Sequence, residues 1–466
     1  MERNVDVAVI GAGSAGNFSL SQIVPARKSF VIINGGPTGT TCARVGCMPS
    51  KAAIHVADDF ASRERFPKEG IQNGGALDID GAGAMGRVRQ LRDGFVKRVL
   101  GKTIDKMGPE RFIDGHARFI EPTLLAVGDE RVRAEKVIIA TGSSPVVPAP
   151  WKDFGDRILT TDSVFEMETL PESLAVIGLG AIGIELGQAL ARLGVEVVGI
   201  DVLETVAGIG DPAVREKAIE TFGAEFPLWL GHPAEIEDSG DGLVVRAGGE
   251  SKTVDKVLAA MGRRPNLGDL GLKALGVELD DNGMPPFDPE TMQVADLPVF
   301  VAGDVTGDRA VLHEAADEGR IAGFNAARDA VTRFRRKTPL AITFCDPQVA
   351  VVGTPWEELD PDTTAVGSFD MAMNGRTIIM DNTRGLLRVY GDKRDGRLLG
   401  ATLFGSGAEH LGHQFAWALE RSLSVFDMIA MPYYHPVIEE AFQNALVSLA
   451  EQVENAPPRP WELQRI

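Results

Sequence analysis

Cysteine is scarce in this chain: three residues in 466, at positions 42, 47 and 345. That is too few for a disulfide-stapled secreted scaffold, so the expected compartment is the cytoplasm. Long apolar runs are missing as well. The most apolar stretch, 174–200, is broken by Glu185, Gln188, Arg192 and Glu196, which a membrane span rarely tolerates. The N-terminus, MERNVDVAVIGAG, lacks a basic lead-in and a small-residue cleavage site and reads as a first strand. Positive charge is also short: 47 Lys and Arg face 66 Asp and Glu, a net charge of −19. No run of Lys and Arg stands out to offset it, which argues against nucleic acid and anionic membranes as partners. A hydrophobic content of 44% with 24% charged residues excludes disorder and fibrous repeats. The length predicts about three domains.

What the chain does have is one device used twice. Residues 5–16, VDVAVIGAGSAG, read as an apolar strand entering Gly11-x-Gly13-x-x-Gly16, and residues 174–183, LAVIGLGAIG, as another entering Gly178-x-Gly180-x-x-Gly183. A helix-compatible stretch and a second strand follow each, SFVIIN (29–34) and VEVVGID (195–201). In both copies 23 positions separate the first glycine from the polar residue ending that strand, Asn34 or Asp201. A lone GxGxxG is weak, but strand before, helix after and a hydrogen-bonding residue about 20 positions on complete a dinucleotide-binding context. The first glycine allows the tight turn, the second lets backbone approach a pyrophosphate, and the third lets helix pack on strand. Two copies predict two dinucleotides. VIIATG (137–142), VLAAMGRRPN (257–266) and VFVAGDV (299–305) read as returning strands. From about Lys337 the pattern becomes α+β, with helices expected over 407–419 and 436–454.

Cys42 and Cys47 lie in GTTCARVGCMPSK (39–51). An arbitrary C-x4-C is more often two core cysteines. Here the pair follows a nucleotide-binding turn in a cysteine-poor chain, where a redox-active dithiol is the better reading. Five helical steps of ~1.5 Å exceed the ~7 Å that a disulfide spans, so the segment is expected to be distorted locally, with Gly46 making that cheap. Near the C-terminus, Pro436 keeps His435 out of a helix and suits the first helical position, placing Glu440 about one turn further in. A carboxylate there orients one ring nitrogen and raises the basicity of the other.

GAGSAG, Cys42-x4-Cys47-MPSK, VIIATG, GLGAIGIEL, AAMGRRPN, FVAGDV and HPVIEEA (435–441), in this order and spacing, resemble the class I pyridine nucleotide-disulfide oxidoreductase family, most of all its dihydrolipoyl dehydrogenases. The resemblance implies an α/β fold of two Rossmann-like dinucleotide-binding domains plus a C-terminal α+β dimerisation domain. The expected divisions are 1–148 and 268–337 for a discontinuous FAD domain, 149–267 for the NAD domain and 338–466 for dimerisation. It further implies FAD contacts at Gly11, Gly13, Gly16, Asn34, Thr41, Lys51, Ala117, Thr141, Gly142, Asp304 and Leu312. NAD contacts are implied at Gly178, Gly180, Gly183, Asp201 and Gly262. The same resemblance implies that Cys42 and Cys47 form the catalytic disulfide, Lys51 and Glu185 a buried ion pair beside the flavin, and His435 and Glu440 the acid–base pair serving the partner subunit of a homodimer. Asp201, which would repel a 2′-phosphate, and the absence of arginine in the following VLET favour NAD over NADP.

The sequence also departs from the family pattern. Asn34 replaces the usual acid; Thr40, Ala43 and Arg44 replace Gly, Leu and Asn around the dithiol; Tyr433 stands where a histidine is common. Arg44 pointing inward would favour a thiolate. His410 and His413 have a spacing that could hold a metal, but no third ligand is identifiable, so no metal site is expected; Cys345 reads as a buried small side chain. The activity implied is oxidation of protein-bound dihydrolipoyl groups with NAD. The alternatives are an NAD(P)H-dependent reductase of another small disulfide and a low-turnover flavoprotein subunit that binds a lipoyl carrier.

Overall fold

The computed structural model describes residues 2–463; the outer domain limits expected at Met1 and Ile466 lie outside them. The first glycine turn is built on a parallel sheet in which strands Val299–Val301, Glu130–Ile139, Glu2–Ile10, Phe30–Asn34 and Phe112–Asp114 lie side by side. Their β-branched residues are buried on both faces, among them Val7, Val9, Val31, Ile33, Val137 and Ile139, as a parallel sheet covered on both sides requires. Strand Val299–Val301 pairs with Glu130–Ile139 although more than 150 residues intervene. The intervening chain holds a second parallel sheet, ordered Leu228–Leu230, Glu196–Asp201, Ser173–Ile177, Lys256–Ala259 and Ile158–Leu159. A five-stranded antiparallel sheet of residues 340–405 follows, carrying helices Ala408–Glu420 and Glu439–Ala450. This mixed α/β architecture is the one expected.

Helix Leu312–Ala326 closes the first sheet by lying on helix Ser14–Ile23. Cβ atoms added to Gly319 and Gly323 would come within 2.3 Å of the carbonyls of Ala15 and Ser19. Only glycine permits that approach, and it locks the first nucleotide helix in place.

Two expectations are corrected. The last helix starts at Glu439, not Pro436: the His435–Pro436 peptide is cis, and the Glu440 carboxylate accepts from Val437 N at 3.1 Å, forming a turn where a first helical turn was expected. A basic run does exist, Arg333, Arg335, Arg336 and Lys337. It offsets little, because these residues pair with Asp288 and Glu290, Glu420, Glu314 and Glu318, and Asp317 respectively. Much of the chain between 52 and 127 was not anticipated, including the 22-residue helix Gly81–Lys102.

Candidate active site

Both glycine turns have the same geometry. Gly11 and Gly178 adopt φ of 111° and 94°, and a side chain on either would strike Ala140 O or Ala260 O. Gly16 and Gly183 let the helix sit on the turn: an added Cβ would lie 2.1 Å from Gly11 O or 1.8 Å from Gly178 O. The middle glycines differ. A Cβ on Gly13 would meet only Ala140 O, at 3.9 Å, and one on Gly180 nothing within 4 Å. These glycines head helices Ser14–Ile23 and Ala181–Arg192, neither of which has a side-chain cap at its N-terminus. Open space over uncapped N–H groups at a helix N-terminus suits a diphosphate, so both turns fit a dinucleotide.

The residues ending the second strands brace these turns. Asn34 Oδ1 accepts from Ala12 N at 3.0 Å and its Nδ2 donates to Gly36 O at 2.5 Å. Asp201 Oδ2 accepts from Leu179 N at 2.6 Å and Oδ1 from Leu203 N at 2.8 Å. Asn34 thus makes the turn-bracing bond of Asp201 without its charge. Gly115 N donates to Asn34 O at 3.1 Å, which brings the start of the strand bearing buried Ala117 next to this edge. Thr141 Oγ1 donates to Asn266 O at 2.8 Å, and Gly142 and Gly262 take φ of 69° and 99°. Ser143 donates to Asp304 Oδ2 at 3.3 Å. Gly303 N, just before Asp304, is held by buried Glu318 at 2.7 Å. Leu312 opens its helix half-exposed, and Thr41 is exposed.

The dithiol sits on a broken helix. Thr41–Val45 and Cys47–Ala61 meet at Gly46, whose φ of −128° and ψ of −119° are non-helical, so the distortion expected from the spacing falls on the glycine. Thr40 caps the first piece, accepting from Ala43 N at 3.3 Å, with φ of 63°. A β-branched residue is strained there, where glycine is usual. Cys42 and Cys47 are both free thiols, half-buried. The neighbouring Cys42 thiol, aided by the Lys51 charge, favours charge on the Cys47 sulfur and lowers its pKa to about 7. The same pairing, with burial, raises the Cys42 thiol well above its ordinary value. Negative charge on the pair is therefore favoured at Cys47 over Cys42.

Lys51 follows one turn after Cys47 and lies 2.8 and 3.0 Å from the Glu185 carboxylate oxygens. Glu185 is buried, and Phe344 N donates to it at 2.8 Å while Lys51 Nζ sits 4.5 Å from the Phe344 ring centre. Phe344 was not foreseen. His435 Nδ1 is 2.8 Å from Glu440 Oε1. That bond, with Val437 N, holds the Glu440 carboxyl below its ordinary value. His435 is 79% exposed, and among the described residues no hydrogen bond or ion pair joins it to Cys42, Cys47 or Lys51 of its own chain. His413 Nδ1 is occupied by Glu409 O at 2.6 Å, and Cys345 is buried.

Residues 5–319 match the pyridine nucleotide-disulphide oxidoreductase family, and residues 340–446 match its dimerisation domain. The chain belongs to this family. Its members use FAD and NAD(H), and it is accordingly an enzyme of the flavoprotein disulfide oxidoreductases. A dihydrolipoyl dehydrogenase of Thermus scotoductus is 31% identical, the match covering 97% of this chain and 98% of that protein. The dihydrolipoyl dehydrogenase of Geobacillus stearothermophilus is 30% identical over 96% of this chain and 97% of its own length. Among solved structures, the HOCl-induced flavoprotein disulfide reductase RclA of Escherichia coli in its Cu(II) complex superposes with a TM-score of 0.84 at 22% identity, covering 96% of this chain and 99% of that one. LpdA of Mycobacterium tuberculosis gives 0.83 at 23% identity, with coverage of 95% and 99%. These two likenesses bear on the fold alone. In this flavoprotein disulfide oxidoreductase, no helix among the described residues is long and apolar enough to cross a membrane.

Proposed function

We propose that the protein is a homodimeric, NAD-dependent enzyme that oxidises protein-bound dihydrolipoyl groups through a Cys42–Cys47 disulfide. The observation that carries this reading is the pair of free thiols on either side of the helix break at Gly46, with Lys51 seated on Glu185 one turn beyond Cys47, in a chain 30–31% identical to dihydrolipoyl dehydrogenases over nearly its whole length. Starting from the disulfide, one thiol of the dihydrolipoyl group gives its proton to His435 Nε2, the nitrogen left free because Glu440 holds Nδ1. The thiolate attacks Cys42, the Cys42–Cys47 bond breaks, and Cys47 leaves as a thiolate, its low pKa making it the better leaving group. The second substrate thiol then displaces Cys42 from the mixed disulfide. The substrate becomes a cyclic disulfide, and the protein dithiol keeps the electron pair. Bound FAD supplies the two-electron transfer from that dithiol to NAD+. Gly11, Gly13, Gly16, Asn34 and Asp304 are the residues to hold it.

Asp201, with both oxygens on backbone N–H groups, puts a negative charge at the end of the second strand, and an acid at that position would disfavour the 2′-phosphate of NADP. That supports NAD. The dimerisation-domain match and the outward-facing His435 support a site completed by the partner subunit.

A second reading, reduction of another small disulfide with NAD(P)H, is favoured by the entrance residues. Tyr433 Oη donates to Met428 O at 3.2 Å and so is turned into its own fold, and Arg44 Nε is buried without a hydrogen-bond partner among the described residues. Anaerobic mixing with free dihydrolipoamide, with lipoylated carrier proteins and with small disulfides, using NAD(H) and NADP(H) in parallel, separates the readings. Rapid two-electron reduction by dihydrolipoyl substrates with NADH formation is expected. No reduction by them, with turnover of another disulfide, sinks the first reading. Cys42→Ser should abolish disulfide turnover while the flavin stays bound.

A further inference from the structure

The redox helix Cys47–Ala61 and the nucleotide helix Ala181–Arg192 are joined by two ionic rungs. The first is Lys51 to Glu185, at 2.8 Å. The second is Arg192 Nη1 to Asp58 Oδ1, at 2.7 Å. Lys51 and Asp58 are seven positions apart, and so are Glu185 and Arg192. Seven residues are about two turns, so on each helix both members lie on one face, and the helices run in parallel. Ala57, Ala189 and Leu193 pack together in this interface, two of them small enough to let the backbones approach closely. Cys47 and Gly180 therefore lie at the same end of a two-helix unit.

Arg192 does more than close a rung. Its side chain is 11% exposed, and its Nε and Nη2 each donate to Glu225 at 2.9 Å, while Nη2 also meets Asp346 Oδ2 at 2.9 Å. Arg384 reaches the same two carboxylates at 2.9 and 3.2 Å, and Asn382 donates to Asp346 Oδ1 at 2.9 Å. Burial opposes the Arg192 charge, but Glu225, Asp346 and Asp58 overcome it. Burial also pushes Asp346 up, and Arg192 with Arg384 brings it below its ordinary value. At Asp58 burial wins, and its carboxyl is raised. Arg192 is thus anchored by the segment that follows helix Pro212–Gly223 and by the loop between strands Leu340–Thr343 and Gln348–Gly353, and offers Nη1 to the redox helix.

We propose that Arg192 is a positioning residue for the dithiol: it fixes the register of the redox helix on the nucleotide helix and so keeps Lys51 seated on Glu185 beside Cys47. This rests on the reading of Cys42 and Cys47 as the redox pair. With the second rung gone, only Lys51 ties the helices by charge, and the redox helix can pivot about it, carrying the Lys51 ammonium away from Cys47.

The test is the Cys47-dependent thiolate absorbance in the ultraviolet, read against pH in the FAD-loaded, anaerobically reduced full chain and referenced to Cys47→Ser. Arg192→Gln and Asp58→Asn should both move the midpoint upward, by about half to one pH unit, and Arg192→Lys should recover part of the shift. The two substitutions have opposite direct fields: loss of the Arg192 cation disfavours a nearby thiolate, whereas loss of the Asp58 anion favours it. Shifts in the same upward direction therefore report positioning. Opposite shifts, or an unmoved midpoint in folded protein, overturn it. Arg157→Gln, which breaks the exposed pair with Asp238, should leave the midpoint in place. If Arg192→Gln does not fold, Asp58→Asn decides alone, since it leaves Arg192 on Glu225 and Asp346. A parent chain with no Cys47-dependent thiolate near pH 7 overturns the dithiol reading itself.

Discussion

Lys51 Nζ lies 2.8 Å from Glu185 Oε2, an ion pair that links the helix carrying the dithiol to the helix behind the second glycine turn. The two charges act oppositely on Cys47: Lys51 lowers its pKa and Glu185 raises it. Lys51→Met should raise the Cys47 titration midpoint from about 7 by roughly one unit, and Glu185→Gln should lower it. Below its midpoint Cys47 is protonated and no longer a thiolate. The rate of flavin reduction by the reduced protein dithiol should therefore fall as pH drops through about 7, with the fall displaced to higher pH in Lys51→Met. Pre-steady-state rates across pH 5.5–8.5 check this; an identical profile in the two variants contradicts it.

The glycines of the first turn should separate folding from phosphate binding. Gly16→Ala forces a Cβ to 2.1 Å from Gly11 O and should destabilise the chain by about 3 kcal/mol or more. Gly13→Ala meets nothing closer than 3.9 Å, so it should unfold at the parental denaturant midpoint. It should nevertheless lose FAD, because the methyl group stands over the helix N-terminus. Flavin absorbance after gel filtration, paired with urea unfolding, reads both effects.

Thr40 carries strain at the head of the dithiol segment, with φ of 63°. Thr40→Gly removes that strain, worth about 1 kcal/mol, and gives up a cap hydrogen bond to Ala43 N at 3.3 Å, worth a few tenths when glycine replaces threonine. The variant should be more stable by somewhat under about 1 kcal/mol in urea unfolding. A loss of stability would mean that the side chain makes up the strain through its contacts.

His435 faces outward, and among the described residues no hydrogen bond or ion pair links it to its own dithiol. Cys42→Ser and His435→Gln homodimers should each be inactive. When the two chains are unfolded together and refolded, about half the dimers are mixed and each mixed dimer has one intact site, so roughly a quarter of parental activity should return. No recovery would show that His435 serves its own chain.

Much of this was legible in contiguous sequence. The paired glycine turns, the strands around them and Asn34 and Asp201 at equivalent places could be read directly, because positive-φ glycines and apolar strand runs are local properties of backbone and side chain. The break at Gly46 followed from spacing alone. The last helix starts later than its residue types indicate because the Glu440 carboxylate takes the Val437 N–H and forms a turn in place of a helical one. The basic run at 333–337 is local, but its neutralisation is not, since its partners range from Asp288 to Glu420.

By itself, then, the sequence determined two nucleotide-binding turns, a dithiol between them and a histidine–glutamate pair near the C-terminus, each written within a few consecutive turns of chain. Tertiary structure decided that Lys51 meets Glu185 one turn beyond Cys47 and that Arg192 gathers Asp58, Glu225 and Asp346. The physical reason is separation. Lys51 and Glu185 are 134 positions apart, and whether two such charges meet depends on how closely Ala57 and Ala189 let their helices pack, which no local pattern specifies.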